Sequence, residues 1–291
     1  MKKLLLLATL IIVAITCANA QTWDSNNTTV TLSGSTLTVS PKPSTDGRMA
    51  NYATTGSRPW HSSVGTVTTL IVEAGVSHLG NQVFSGCSEL ISVTLPDGLE
   101  SIGGGVFYGC SKLTSITIPH SVTTIFGQAF SGCTNLKTVR LPNTLSSLAD
   151  NVFANCTSLQ SIAIPAGVTL IGFSAFWGCT ALSSVRLPMG VTTIQMNAFQ
   201  NCSSLKTLHL PASVNNIGGY AFANSGIKQL LVKNTTVPAI DWDTFRNFPT
   251  DAIIYVPDAA YDDYIIATNW SARASQIQKM SAYANIICNC H

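Results

Sequence analysis

Six consecutive steps of 23 residues keep one register along this chain. Phenylalanine recurs at Phe84, Phe107, Phe130, Phe153, Phe176 and Phe199, with a seventh at Phe222. Cysteine follows three residues behind each of the first six, at Cys87, Cys110, Cys133, Cys156, Cys179 and Cys202. Proline closes each unit at Pro96, Pro119, Pro142, Pro165, Pro188 and Pro211. Three columns that stay in phase require every unit to add the same path, so this stretch is a solenoid of stacked coils. One coil cannot bury its own apolar side chains. The stack is the folding unit.

Within one unit the apolar positions are Val122, Ile125, Ala129, Phe130, Cys133, Leu136, Val139 and Leu141. Val139 to Leu141 alternates in, out, in, as a strand does. Stacked copies pair as a parallel sheet with strands about 4.8 Å apart. Pro142 ends the strand, because proline brings no N–H to the ladder. The Ala129-Phe130 half is expected to return over the convex side as a short helical turn. The frame begins before its first phenylalanine, since Val67, Leu70 and Val72 lie 23 residues ahead of Leu90, Val93 and Leu95.

Both ends need covers, because an open end exposes core and unpaired strand edges. Residues 21–66 lack the repeat and are expected to form the N-terminal cap. Val30 to Val39 alternates around Ser33-Gly34-Ser35, which predicts a hairpin, and Trp60 is placed to seal the first coil. After Ser213 the pattern weakens: Ser225 replaces cysteine, and one residue is missing before Ile227, Leu230 and Val232. The repeats are therefore expected over 67–233, with a C-terminal cap and tail over 234–291. There, Ile253 to Val256 predicts a strand, followed by a short helix capped by Asp258 with Tyr261, Tyr264 and Ile265 on one face.

Residues 1–20 read as an export signal peptide: Lys2 and Lys3, an apolar run from Leu4 to Ile15, then Ala18-Asn19-Ala20 before the expected cleavage. Lipid attachment at Cys17 is the alternative, with Ile15-Thr16 a poor lead-in. The run is short for a membrane span, and no transmembrane segment is expected in the mature chain. Without the leader 13 basic residues face 13 acidic ones, and charged residues are only 10% of the whole chain. A secreted or cell-surface location suits that weakly charged, polar composition.

The unit Ile/Val-Gly-x-x-Ala-Phe-x-Gly-Cys-x-x-Leu-x-x-Val-x-Leu-Pro resembles the leucine-rich repeats of the bacterial surface-antigen (BspA-type) family. Ile171-Gly172-Phe173-Ser174-Ala175-Phe176-Trp177-Gly178-Cys179-Thr180-Ala181-Leu182 carries the resemblance, which spans roughly 67–233. It implies a leucine-rich-repeat solenoid in a secreted or surface-displayed protein that binds or adheres. Two features depart from the pattern: no obvious cell-wall anchor is read in the sequence, and the tail Cys288-Asn289-Cys290-His291 is not part of the repeat.

Chemistry is sparse. A 23-residue cysteine spacing matches no zinc-ligand pattern, and parallel Cβ vectors on adjacent rungs stay beyond disulfide reach. A ladder of free buried thiols is the expectation, cysteine being a good small apolar residue. Cys288 and Cys290 stand apart as terminal residues open to disulfide formation. His61, His78, His120 and His209 are scattered, and neither Gly-x-Ser-x-Gly nor His-Glu-x-x-His occurs. No catalytic, metal or cofactor site is predicted, and the chain reads as a non-enzyme. Nucleic acid is not an expected partner, because the strand face brings no aromatic residues for base stacking.

Charge placement is the one functional signal. Between Ser101 and Pro238 lie seven basic residues (Lys112, Lys137, Arg140, Arg186, Lys206, Lys228 and Lys233) and a single acid, Asp150. Alternation turns the column Thr94, Thr117, Arg140, Ala163, Arg186, His209 and Leu231 outward, beside a hydroxyl-rich column from Ser92 to Gln229. Lys137, Lys206 and Lys228 flank them at the strand entry. The expected ligand face is thus Lys137, Arg140, Arg186, Lys206, His209 and Lys228, suited to an acidic glycan or an extracellular host or matrix protein. The competing reading is a structural, envelope-associated protein with no discrete ligand, its strand face merely solvated.

Overall fold

A computed structural model describes residues 20–283. Residues 1–19 of the expected leader, with Cys17, and the tail with Cys288 and Cys290 lie outside the described residues. Every coil lays down a strand on a first wall, including Thr69–Val72, Ser115–Thr117, Thr138–Arg140, Ser161–Ala163 and Ser184–Arg186. The pairs are parallel and in the expected register: Thr69 faces Ser92, Arg140 faces Thr117 and Ala163 faces Arg186. Alternation is as the sequence predicts, with Val139, Ile162 and Val185 buried and their neighbours exposed.

Each coil also contributes a second, two-residue strand that sequence patterning does not reveal. Ser101–Ile102, Ser147–Leu148, Leu170–Ile171, Thr193–Ile194 and Asn216–Ile217 belong to this second parallel wall. Two residues are too few to display a period of two. The intervening phenylalanine segment is not the expected helical turn. Its N–H groups donate forward to the next coil, Phe107 to Ala129 O at 2.8 Å and Phe153 to Ala175 O at 2.9 Å. A helix would have used those donors internally.

The glycine or asparagine before each cysteine has a backbone reason. Gly86, Gly109, Gly132, Asn155, Gly178 and Asn201 all have positive φ, a left-handed conformation that these two residue types adopt most easily. The turn aims the phenylalanine inward. From Phe84 to Phe245 eight rings form one file, with centroids 5.3–6.2 Å apart and planes within 26°. Each offset pair adds about 0.5–1.5 kcal/mol beyond its buried area.

The six repeat cysteines are free and buried. The Cys133 thiol donates to Phe107 O at 3.1 Å and that of Cys156 to Phe130 O at 3.2 Å, so each reaches back to the preceding coil. Burial pushes the Cys133 and Cys179 thiols up to about 12 and Cys87 to about 11.

The covers work by supplying the missing coil's donors. At the N-terminal end the hairpin of Thr28–Ser33 and Thr36–Pro41 pairs antiparallel, and its second strand runs parallel to Thr69–Val72. The buried Arg58 guanidinium donates to the carbonyls of Gln82, Val83 and Ser85, and Trp60 Nε1 donates to Val83 O at 3.0 Å. At the other end the file runs on to Phe245, the second wall to Ala239–Ile240, and the first wall to Ile253–Val256 and Ile277–Lys279. Coil geometry therefore continues past residue 233, where the sequence places the start of the cover. Trp270 Nε1 then donates to Pro238 O at 2.8 Å, and Gln276 Nε2 to Pro249 O and Ala252 O. Tyr264 packs inward on the helix Tyr261–Ile266 as predicted, but Asp258 does not cap it: the Asp258 carboxylate accepts the Ser281 N–H at 3.0 Å.

Candidate binding site

Stacking in register carries the outward column across the first wall as Thr117, Arg140, Ala163, Arg186 and His209, all exposed. The column closes beyond His209, because its next member, Leu231, is buried. Among the described residues no carboxylate lies within ion-pair distance of Lys137, Arg140, Arg186, Lys206 or Lys233.

The six expected residues are not equivalent. Lys228 is ion-paired with Asp251 one coil further on, so its charge is already answered. Lys206 turns back, its Nζ donating to Ser203 O at 2.8 Å. Lys137 and Arg140 stand exposed on the wall. Only Arg186 and His209 are gathered into a concavity, together with Lys233, which lies outside the expected set.

That concavity is a groove of about 800 Å3, within the size range of ligand sites. Its floor includes Ile164, Leu187 and Leu210 at the strand ends, and Pro188, Met189 and Pro211 form part of its lining. One local feature opens it. Ala163 and Ala166 are small where the next coil carries Arg186 and Met189. The hydrogen-bonded ladder of the first wall breaks between Ser184–Arg186 and Thr207–Leu210, as it does at two other places among the described residues, so the break alone does not mark the groove. Among the described residues the lining contains no acidic residue. Burial, and then the charge of Lys233, hold the His209 imidazole below its ordinary value.

A second groove of about 900 Å3 opens near the N-terminal cover, lined in part by Arg48, His78 and Glu100. It is the larger, but its charges cancel. Arg48 pairs with Asp46 at 3.0 Å and His78 lies 3.4 Å from Glu100. Two uncompensated cations, Arg186 and Lys233, beside the His209 imidazole and above an apolar floor make the first groove the better anion site.

Among the described residues no three His, Cys, Asp or Glu side chains group as a metal site. No described helix is long and apolar enough to cross a membrane.

The family described as BspA type leucine rich repeat region matches the chain in six copies, over residues 61–183 and 169–258. No curated protein matches closely enough to count as a relative. Among solved structures, a leucine-rich repeat protein from Bacteroides ovatus superposes with a TM-score of 0.59 at 19% identity, covering 82% of this chain and 69% of its own. The leucine-rich repeat protein of T. pallidum superposes with a TM-score of 0.52 at 25% identity, covering 70% of this chain and 89% of its own.

Proposed function

The chain belongs to the BspA-type leucine-rich-repeat family, and from that premise we propose that it is a non-catalytic binding or adhesion protein, secreted or held at the cell surface. Its partner is an extracellular protein or acidic glycan that meets the exposed strand wall. The observation that carries this reading is the groove holding Arg186, His209 and Lys233, with no acidic residue among the described residues of its lining. Lys137 and Arg140 extend the same positive wall toward the N-terminal end, while Lys206 and Lys228 border it. A solvated wall of an envelope protein would need neither a hollow nor an apolar floor.

The test is a binding array of extracellular matrix proteins and sulfated or sialylated glycans, run with the wild type and with Arg140→Ala/Arg186→Ala. Binding to a confirmed partner is expected to fall as salt rises and to drop about tenfold in the double variant. Undiminished binding by that variant would remove the strand wall from the account.

A further inference from the structure

We infer that the ligand seated in this groove is a peptide segment carrying acidic and aliphatic side chains, rather than a glycan. The inference rests on the proposed binding role of the strand wall and adds what the groove selects. Arg186 offers a planar fork that matches a carboxylate in two parallel hydrogen bonds. Lys233 adds a second cation in the column that carries proline in earlier coils, brought there by the missing residue near 226. These groups answer the acidic half.

The aliphatic half is answered by Met189, Pro188 and Pro211 over Leu187 and Leu210. Met189 is 72% exposed, a large flexible apolar side chain left in water beside a hollow made by two alanines. Methionine at such a position reshapes easily around a branched partner. A neutral sugar finds little here. Pyranose rings are held by stacking on aromatic faces and by carboxylates or amides that chelate neighbouring hydroxyls. Among the described residues the lining holds no aromatic ring beyond the His209 imidazole and no Asp, Glu, Asn or Gln. A cation-rich rim over aliphatic carbon fits a carboxylate next to Leu, Ile or Val. The volume accommodates several residues of such a segment.

Fluorescence anisotropy on the intact chain decides it, using a labelled octapeptide library that alternates Asp or Glu with Leu, Ile or Val. A matched Asn/Gln library and a sulfated oligosaccharide serve as the other probes. Acidic-aliphatic members are expected to bind and to lose about tenfold or more in Arg186→Ala/Lys233→Ala. A loss of several-fold is expected in Met189→Ser, with unchanged melting temperatures in both variants. Asn/Gln peptides binding as well as the acidic ones, or indifference to Met189→Ser, would overturn the selectivity argued here. If only the oligosaccharide binds, and does so through Arg186 and Lys233, the peptide inference fails while the binding role of the groove stands. If no probe's binding depends on Arg186 and Lys233, both fail.

Discussion

The inward and outward columns of the same coils obey opposite rules. Inside, every coil from Phe84 to Phe222 repeats the ring, and six of them repeat the thiol, because each side chain packs on its own copy one rung away. Outside, one column passes through Thr117, Arg140, Ala163, Arg186 and His209 with little in common. Packing leaves no freedom at the first set and nearly complete freedom at the second. Stability is therefore written in the repetition, and recognition in the departures from it.

The sharpest way to break this comparison is to treat an inward position as expendable. Phe153→Ala removes the middle of the file and should cost about 3–5 kcal/mol in chemical denaturation; a cost under 1 kcal/mol would show that the rings are not cooperative packing units. Next comes the N-terminal cover. Arg58→Ala strips donors from three buried carbonyls and should cost about 3 kcal/mol, with early loss of hydrogen-exchange protection near Val83. The thiols sharpen the division further. With burial holding them far above the ordinary cysteine range, the six repeat cysteines should resist a thiol reagent in the native state and all react after denaturation. Outward changes should barely register: Lys228→Ala breaks an exposed ion pair with Asp251 and should shift stability by less than about 1 kcal/mol.

The pH dependence of binding is expected to be smaller than the effect of deleting a charge. His209 has its pKa depressed, so it carries charge only below its ordinary range. Affinity for an anionic ligand should therefore rise as pH falls toward that lowered value. His209→Gln should flatten the rise.

The period, the register, the phenylalanine file, the free thiols, the hairpin and the sealing role of Trp60 were all legible in the sequence, because each recurs or sits at an obligatory end. The second wall was not, its strands being two residues long. Nor was the continuation to Phe245: Ser225 breaks the cysteine column and a deleted residue shifts the strand, although Phe245 still lies 23 residues past Phe222. The same shift hid Lys233 from the expected face by moving it into the proline column. The neutralisation of Lys228 depends on Asp251, which belongs to a coil that the repeat pattern does not announce. The groove itself arises where Ala163 and Ala166 stand beside Arg186 and Met189; the residues are in the sequence, but a small residue in an outward column does not by itself announce a hollow.

Everything on the outer wall depends on coils being stacked in step, and a distance measurement tests that directly. With Cys288 and Cys290 replaced by serine, spin labels at Thr94→Cys and His209→Cys sit five coils apart in one column. Pulsed electron paramagnetic resonance should then give a narrow distribution near 24 Å, at about 4.8 Å per coil. A broad distribution, or one centred well beyond 35 Å, would contradict the stacked register and with it the shared wall of Arg140, Arg186 and His209.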